Sequence, residues 1–236
     1  MTWNPWHGCR KVSEGCRNCY VFKMDKQYGR DSNVIAKTSS FNLPVKRNRM
    51  KEYKLAPRQT VYTCLTSDFF LEEADAWRKE AWRIIRERQD LHFSIITKRI
   101  HRFPVSLPAD WGTGYDNVSI YCTVENQARA DSRLPLFLEL PIKHRVILCE
   151  PLLGFIDMNK YLSPSIEEVV VGGESGTNAR ICCYEWVLHL REQCLKKSVP
   201  FRFRQTGMYF QKEGRLYVIP RLLQKSQAEK AGIDLN

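Results

Sequence analysis

Short apolar runs alternate with amphipathic stretches along most of this chain. Residues 61–66 (Val-Tyr-Thr-Cys-Leu-Thr) read as a buried strand. From about 71 to 88, Ala74, Trp77, Ala81, Ile84 and Ile85 repeat at helical spacing, with Arg78, Lys79, Arg83 and Arg86 turned elsewhere. Strands are expected at 92–97, 117–123, 144–149, 168–171 and 201–204, with helices near 126–139 and 184–197. Strands that alternate with helices argue for βαβ units and a parallel sheet. Near-continuous apolar strands fit a sheet covered on both faces. The expectation is an α/β fold over residues 1–236 as a single domain, a partial or full (β/α) barrel first and an open doubly wound sheet second.

In either architecture the carboxyl ends of the strands carry the chemistry. The residues just after the strands are polar: Ser67-Asp68, Lys98-Arg99, Glu125-Asn126, Glu150 and Glu174-Ser175. One such residue is only where a strand meets water. Five in succession suggest a convergent polar site. Residues 169–176 (Val-Val-Val-Gly-Gly-Glu-Ser-Gly) run a strand into a glycine-rich turn. Gly172 and Gly173 let a backbone approach a ligand, and Glu174 offers a carboxylate for ribose hydroxyls or an amino group. The alternative is a tight turn needing positive φ. Residues 201–204 (Phe-Arg-Phe-Arg) fit a strand with one core face and one basic face better than a base-stacking platform.

Composition narrows the class of function. The chain has 37 basic and 26 acidic residues, a net charge of +11, and such a field favours polyanionic partners. Residues 46–58 hold Lys46, Arg47, Arg49, Lys51, Lys54 and Arg58 against only Glu52, and a second group is Lys196, Lys197, Arg202 and Arg204. Each cluster is a solvated surface or a nucleic-acid site. No apolar run approaches the roughly 18 residues of a membrane span, and the N-terminus lacks the pattern of a secretory signal, so a cytoplasmic protein is expected.

Nine cysteines are present. Cys64 and Cys149 lie in apolar runs and read as small buried hydrophobes. Cys9, Cys16 and Cys19 have the spacing C-x6-C-x2-C, with Gly8 and Gly15 beside them. Three thiolates leave one coordination position open, which is how a metal site does chemistry. An iron–sulfur cluster fits this ligand count. A structural zinc completed by His7 is the rival, and three ordinary cysteines the third reading.

The residues Thr2-Trp-Asn-Pro-Trp-His-Gly-Cys9, Val12-Ser-Glu-Gly-Cys16-Arg-Asn-Cys19-Tyr20, Thr66-Ser-Asp-Phe69, Thr97-Lys-Arg99, Val124-Glu-Asn126, Cys149-Glu-Pro-Leu-Leu-Gly154, Val171-Gly-Gly-Glu-Ser-Gly176 and Gln205-Thr-Gly207 occur in an order that resembles a family of small phage and bacterial proteins. That family is described as of unknown function, with a three-cysteine motif like that of radical S-adenosylmethionine (SAM) enzymes. The resemblance implies a partial (β/α) barrel in which Cys9, Cys16 and Cys19 hold a 4Fe–4S cluster. SAM would chelate the fourth iron, and one electron from a reductant would cleave it to a hydrogen-abstracting radical. The usual spacing in that superfamily is C-x3-C-x2-C, and this chain has a longer first loop. By barrel order, Ser67, Asp68, Lys98, Glu125, Gly172, Gly173, Glu174 and Ser175 would contact SAM or substrate. The implied activity is modification of a nucleic-acid base or nucleotide. Its phage-type form would be DNA base hypermodification, an isomerase- or lyase-type rearrangement that blunts host restriction, carried out in the host cytoplasm. A zinc-stabilised, non-catalytic nucleic-acid-binding protein and a DNA-repair enzyme resembling photoproduct lyases are the alternatives.

Overall fold

The apolar runs become parallel strands. The computed structural model describes residues 1–105 and 107–236. Its strands are β1 (Thr2–Trp3), β2 (Trp6–His7), β3 (Ala36–Lys37), β4 (Thr60–Thr63), β5 (His92–Thr97), β6 (Val118–Thr123), β7 (His144–Cys149), β8 (Glu168–Gly172), β9 (Cys182–Cys183), β10 (Phe201–Gln205), β11 (Tyr209–Lys212) and β12 (Arg215–Val218). The α-helices are α1 (Tyr20–Gln27), α2 (Asp75–Glu87), α3 (Gln127–Glu139), α4 (Tyr184–Lys196) and α5 (Arg221–Lys230). The main sheet has seven strands in the order β1-β4-β5-β6-β7-β8-β10. The pairs β1–β4, β4–β5, β7–β8 and β8–β10 all run parallel. The fold is α/β with a parallel sheet, as the sequence predicts. From β4 onward each new strand is added on the same side. A doubly wound sheet reverses direction at a switch point. The one-way order is therefore consistent with a partial (β/α) barrel.

The chain divides into two compact units. Met1–Val12, Cys19–Tyr121 and Glu139–His144 form the first, and Ser13–Asn18, Cys122–Leu138 and Arg145–Asn236 the second.

In the first unit, β4 stops three residues earlier than the apolar run suggests. Cys64 has φ of 59°, and a left-handed residue cannot continue a strand. Helix α2 buries Ala81, Trp82, Ile84 and Ile85, and Trp82 packs edge-on against Phe69 at 4.8 Å. One expectation fails here. Arg78 does not face outward but is fully buried. Its Nε donates to the Phe69 carbonyl (2.8 Å) and its Nη2 to that of Leu71 (2.5 Å), while Asp75 takes Nη1. A charge in that position is tolerated because each guanidinium nitrogen finds an oxygen. Arg88 is treated alike: Asp90 holds it in a two-point grip at 2.7 Å, and it also donates to the carbonyls of Pro44 and Leu55.

In the second unit, β10 alternates as expected. Phe201 and Phe203 are buried, and Arg202 and Arg204 are exposed, paired to Glu168 (2.6 Å) and Glu150 (3.1 Å). A small sheet of order β12-β11-β9 follows. Among the described residues, no helix is long and apolar enough to cross a membrane.

Candidate metal centre and the adjoining pocket

In the first unit the cysteine segment is held from the ends of β4 and β5. Gly8 has φ of 91°, and a Cβ there would lie 2.9 Å from the Ser32 carbonyl, so only glycine lets the chain turn into Cys9 at this spot. Ser67 Oγ donates to the Gly8 carbonyl at 2.5 Å. Arg99 Nη2 donates to the Arg10 carbonyl at 2.6 Å, and its Nη1 lies 3.8 Å from Cys9 Sγ. Arg99 is buried, which works against its charge, but Asp68 and Cys9 outweigh that and raise its pKa. Asp68 accepts from Phe70 N (3.0 Å), Thr97 Oγ1 (2.8 Å) and Lys98 N (2.9 Å) and pairs with Arg99 at 3.3 Å. Its carboxylate therefore locks the ends of β4 and β5 together and aims Arg99. The Lys98 ammonium is half-buried and has no partner among the described residues.

In the second unit, the strand ends grip Ser13–Asn18. Glu125 is fully buried, accepts Ser13 Oγ at 2.5 Å and pairs with Arg133 at 2.8 Å. Ser13 Oγ in turn lies 3.9 Å from Cys16 Sγ. A Cβ on Gly15 would overlap the Glu125 carboxyl, so the glycine is required by close approach. Glu14 forms a two-point ion pair with Arg129 (2.9 and 3.0 Å), whose hydrogen bonds hold the carboxyl down to about 2. Glu174 accepts Asn18 Nδ2 at 3.0 Å and Arg180 Nη2 at 2.6 Å. Gly172 and Gly173 have ordinary φ, so no positive-φ turn is needed. They give room instead: a Cβ on Gly172 would lie 3.0 Å from Gln205 Cγ, and one on Gly173 would lie 2.8 Å from Gly207 Cα. Ser175 Oγ engages Gln205 (3.0 Å) and Gln224 (2.6 Å).

Of the polar strand ends, Ser67 and Arg99 in the first unit and Glu125 and Glu174 in the second bond to the cysteine segment, whereas Glu150 holds Arg204 and Gln205 and Ser175 holds Gln205 and Gln224. Sequence reasoning missed Ser13, Asn18, Asp25, Arg133 and Arg180. Ser13 and Asn18 sit inside the motif and could have been found there, whereas nothing local marks the other three.

The nine thiols fall into two kinds. Cys64, Cys122, Cys149, Cys182 and Cys194 are buried, while Cys9, Cys16, Cys19 and, outside the motif, Cys183 are half-buried. Burial pushes the Cys182 and Cys194 thiols up to about 12, and those of Cys64 and Cys149 well above the ordinary value. Such thiols do not give the thiolate a metal requires. Among the described residues, no three His, Cys, Asp or Glu side chains come together as the ligand set of a single ion. His7 is also engaged elsewhere: its Nε2 meets the Asp25 carboxylate at 2.9 and 3.1 Å, with Ser32 Oγ on the same carboxylate at 2.5 Å. In the first unit Cys9, beside Arg99, and Cys19 are half-buried, and in the second unit Cys16 is half-buried.

Glu174 sets an acid limit on the second unit's part of this arrangement. Burial alone would raise its pKa, but the hydrogen bonds and charge of Arg180 and the amide of Asn18 bring it below the ordinary 4.5. Its stabilising contribution is thus complete above 4.5 and lost as pH falls through the lower folded value. In thermal unfolding measured from pH 6 to pH 3, Glu174→Gln should flatten the acid limb and lie closest to the parent at the lowest pH. An acid limb as steep as the parent's would remove Glu174 from this account.

A cavity of about 260 Å³ opens in the first unit beside the motif, lined by His7, Tyr20, Met24, Asp25, Tyr28 and Thr66 among others. Tyr20, Met24 and Tyr28 form one stripe of α1 and its C-cap, and all are exposed. Thr66 Oγ1 is buried without a hydrogen-bond partner. The volume lies just under the roughly 300–1,000 Å³ of drug-sized sites, so the cavity suits a single ring system.

A family model described as "Protein of unknown function (DUF5131)" matches residues 1–236. No curated protein and no solved structure matches the chain.

Proposed function

Because the chain belongs to the DUF5131 family, whose function is unknown, its activity must be argued from its own residues, and we propose that it is an iron–sulfur enzyme of the radical-SAM kind that modifies a nucleic-acid base. The observation that carries this reading is the anchoring of the cysteine loop: Ser67, Arg99, Glu125 and Glu174 all bond to residues 8–18, and three thiols remain half-buried. Each part of the segment is thus held by its own unit, which pre-organises the backbone beside each thiol. Cys9, Cys16 and Cys19 would hold the 4Fe–4S cluster. When bound, the cluster and SAM supply one-electron chemistry that no side chain provides.

The chain's own residues do the rest. Lys98, whose ammonium has no partner among the described residues, would pair with the SAM carboxylate from the end of β5. Gly172 and Gly173 offer backbone at the end of β8. Ser67, Asp68, Glu125, Glu174 and Ser175 serve as positioning residues. The cavity beside Cys9 and Cys19 would receive one planar ring, stacked on Tyr20 or Tyr28 and hydrogen-bonded by Thr66 Oγ1. The basic charge of the chain supports an anionic substrate. The resemblance to phage proteins favours base hypermodification that blunts host restriction.

The test is anaerobic reconstitution with iron and sulfide, followed by dithionite and SAM. The expected result is a cluster with about four irons per chain and release of 5′-deoxyadenosine. Stoichiometric zinc with no cluster would overturn the reading.

A further inference from the structure

The sequence marks residues 46–58 as basic, and the structure shows what becomes of those charges. The segment closes as a hairpin: Arg47 and Tyr53 form an antiparallel bridge, Lys54 N bonds the Lys46 carbonyl at 2.8 Å and Asn48 N that of Glu52 at 2.9 Å. Tyr53 is clamped between two guanidinium groups, with Arg47 at 3.9 Å and the buried Arg88 at 4.1 Å from its ring, and its hydroxyl donates to Glu87. Arg88 also binds the carbonyls of Pro44 and Leu55 on either side. The hairpin is thus fastened at its base.

On this base stand Lys46, Arg49, Lys51, Lys54 and Arg58. All five are exposed, and none has an ion-pair partner among the described residues. Arg202 and Arg204 of the second basic cluster, by contrast, are matched by Glu168 and Glu150. Lys51 and Arg58 each hold φ of 63°, a conformation that glycine or asparagine adopts more easily. The backbone does not call for cations there. Beside the hairpin runs an open groove of about 670 Å³, lined by Ser39, Asn42, Lys46 and Arg83 among others. The Ser39 hydroxyl and the Asn42 amide are exposed and without partners among the described residues.

Unpaired Lys and Arg beside free hydroxyl and amide donors are the groups that contact phosphate and sugar along a nucleic-acid backbone. Tyr53 is occupied by its two arginines, which leaves no free aromatic in the hairpin to stack a base. Met50 is the one exposed apolar side chain at the tip, too little for insertion into a lipid surface. We infer that the 46–58 hairpin and its groove are a docking arm for the phosphodiester backbone of nucleic acid, independent of base sequence. The groove shares no lining residue with the cavity beside the cysteines. This deepens the reading above and rests on it for its purpose: the substrate is a polymer and not a free nucleotide, because a second contact along a backbone helps only a polymer.

The test compares two five-fold variants of the full chain. The first is Lys46→Gln, Arg49→Gln, Lys51→Asn, Lys54→Gln and Arg58→Asn. The second removes five other exposed cations: Lys196→Gln, Lys197→Gln, Arg215→Gln, Arg221→Gln and Lys230→Gln. Both lose the same charge and keep the core. Binding to labelled duplex DNA is measured across a salt series, with free mononucleotide as competitor and anionic phosphatidylserine vesicles as a second probe. The hairpin variant should lose about one unit of the log–log salt slope per cation removed and bind at least about tenfold more weakly. The other variant should lose markedly less, and mononucleotide should not compete. Equal losses in the two variants would reduce the effect to net charge and overturn the inference. So would vesicle binding that depends on the hairpin while DNA binding does not. The binding assay needs no activity, so this inference and the cluster reading fail separately.

Discussion

Replacing Cys9, Cys16 or Cys19 by alanine should abolish cluster assembly and leave the fold intact. After anaerobic reconstitution, each variant should show background iron and sulfide and lack the broad visible absorption of the parent. Its thermal unfolding should lie within about 1 kcal/mol of the parent, as for other half-exposed substitutions away from the core. The reason is that the loop is fixed by neighbours of the thiols rather than by the thiols themselves. Ser13 is held by Glu125, Glu14 by Arg129, Asn18 by Glu174, and the Gly8 carbonyl by Ser67. A structural metal predicts the opposite, because there the binding free energy is folding free energy. Loss of folding in any of the three variants would therefore count for a structural site. Cys183→Ser, at a half-buried thiol outside the motif, should assemble the cluster as the parent does.

Glu125→Leu should have the largest effect on stability. The carboxylate is fully buried, and Arg133, with its side chain 8% exposed, lies against it at 2.8 Å. Removing one partner of such a pair leaves the other charge uncompensated, at a cost of about 3–5 kcal/mol. The same substitution frees Ser13, so that cluster assembly should fail at temperatures where the variant is still folded. Adding Arg133→Leu should restore part of the stability, because the stranded charge is gone, but none of the cluster assembly. Urea unfolding of both variants, with iron content measured in parallel, separates the two effects. A loss below about 1 kcal/mol for Glu125→Leu would mean that water reaches Arg133 and that the loop has other support.

Much of the fold was legible because strand formation in a covered sheet is a local matter of apolar run length. The runs at 92–97 and 144–149 match β5 and β7 residue for residue, and α2, α3 and α4 lie within a few residues of their expected bounds. The burial of Cys64 and Cys149 followed from their apolar neighbours, and the two faces of β10 from the alternation of Phe and Arg. The two-residue strands β1 and β9 carry no periodicity at all. They exist because β4 and β11 lie beside them. The burial of Arg78 was misjudged for a related reason. A charge can be buried only where carbonyls and a carboxylate meet it, and the oxygens of Phe69 and Leu71 do so only once the turn before α2 has formed.

The candidate site divides along the same line. The sequence by itself determined which thiols are candidates, because Cys9, Cys16 and Cys19 lie within eleven residues of one another, and it pointed to the polar strand ends as a group. What those strand ends do was decided only by tertiary structure. Glu125 meets Ser13 across 112 residues and Glu174 meets Asn18 across 156, and Asp68 has its lone pairs taken by the end of β5. A carboxylate at a strand end looks the same in sequence whether it faces a ligand or a loop. Its role is set by which donors reach it, and those donors are brought there by the folded chain.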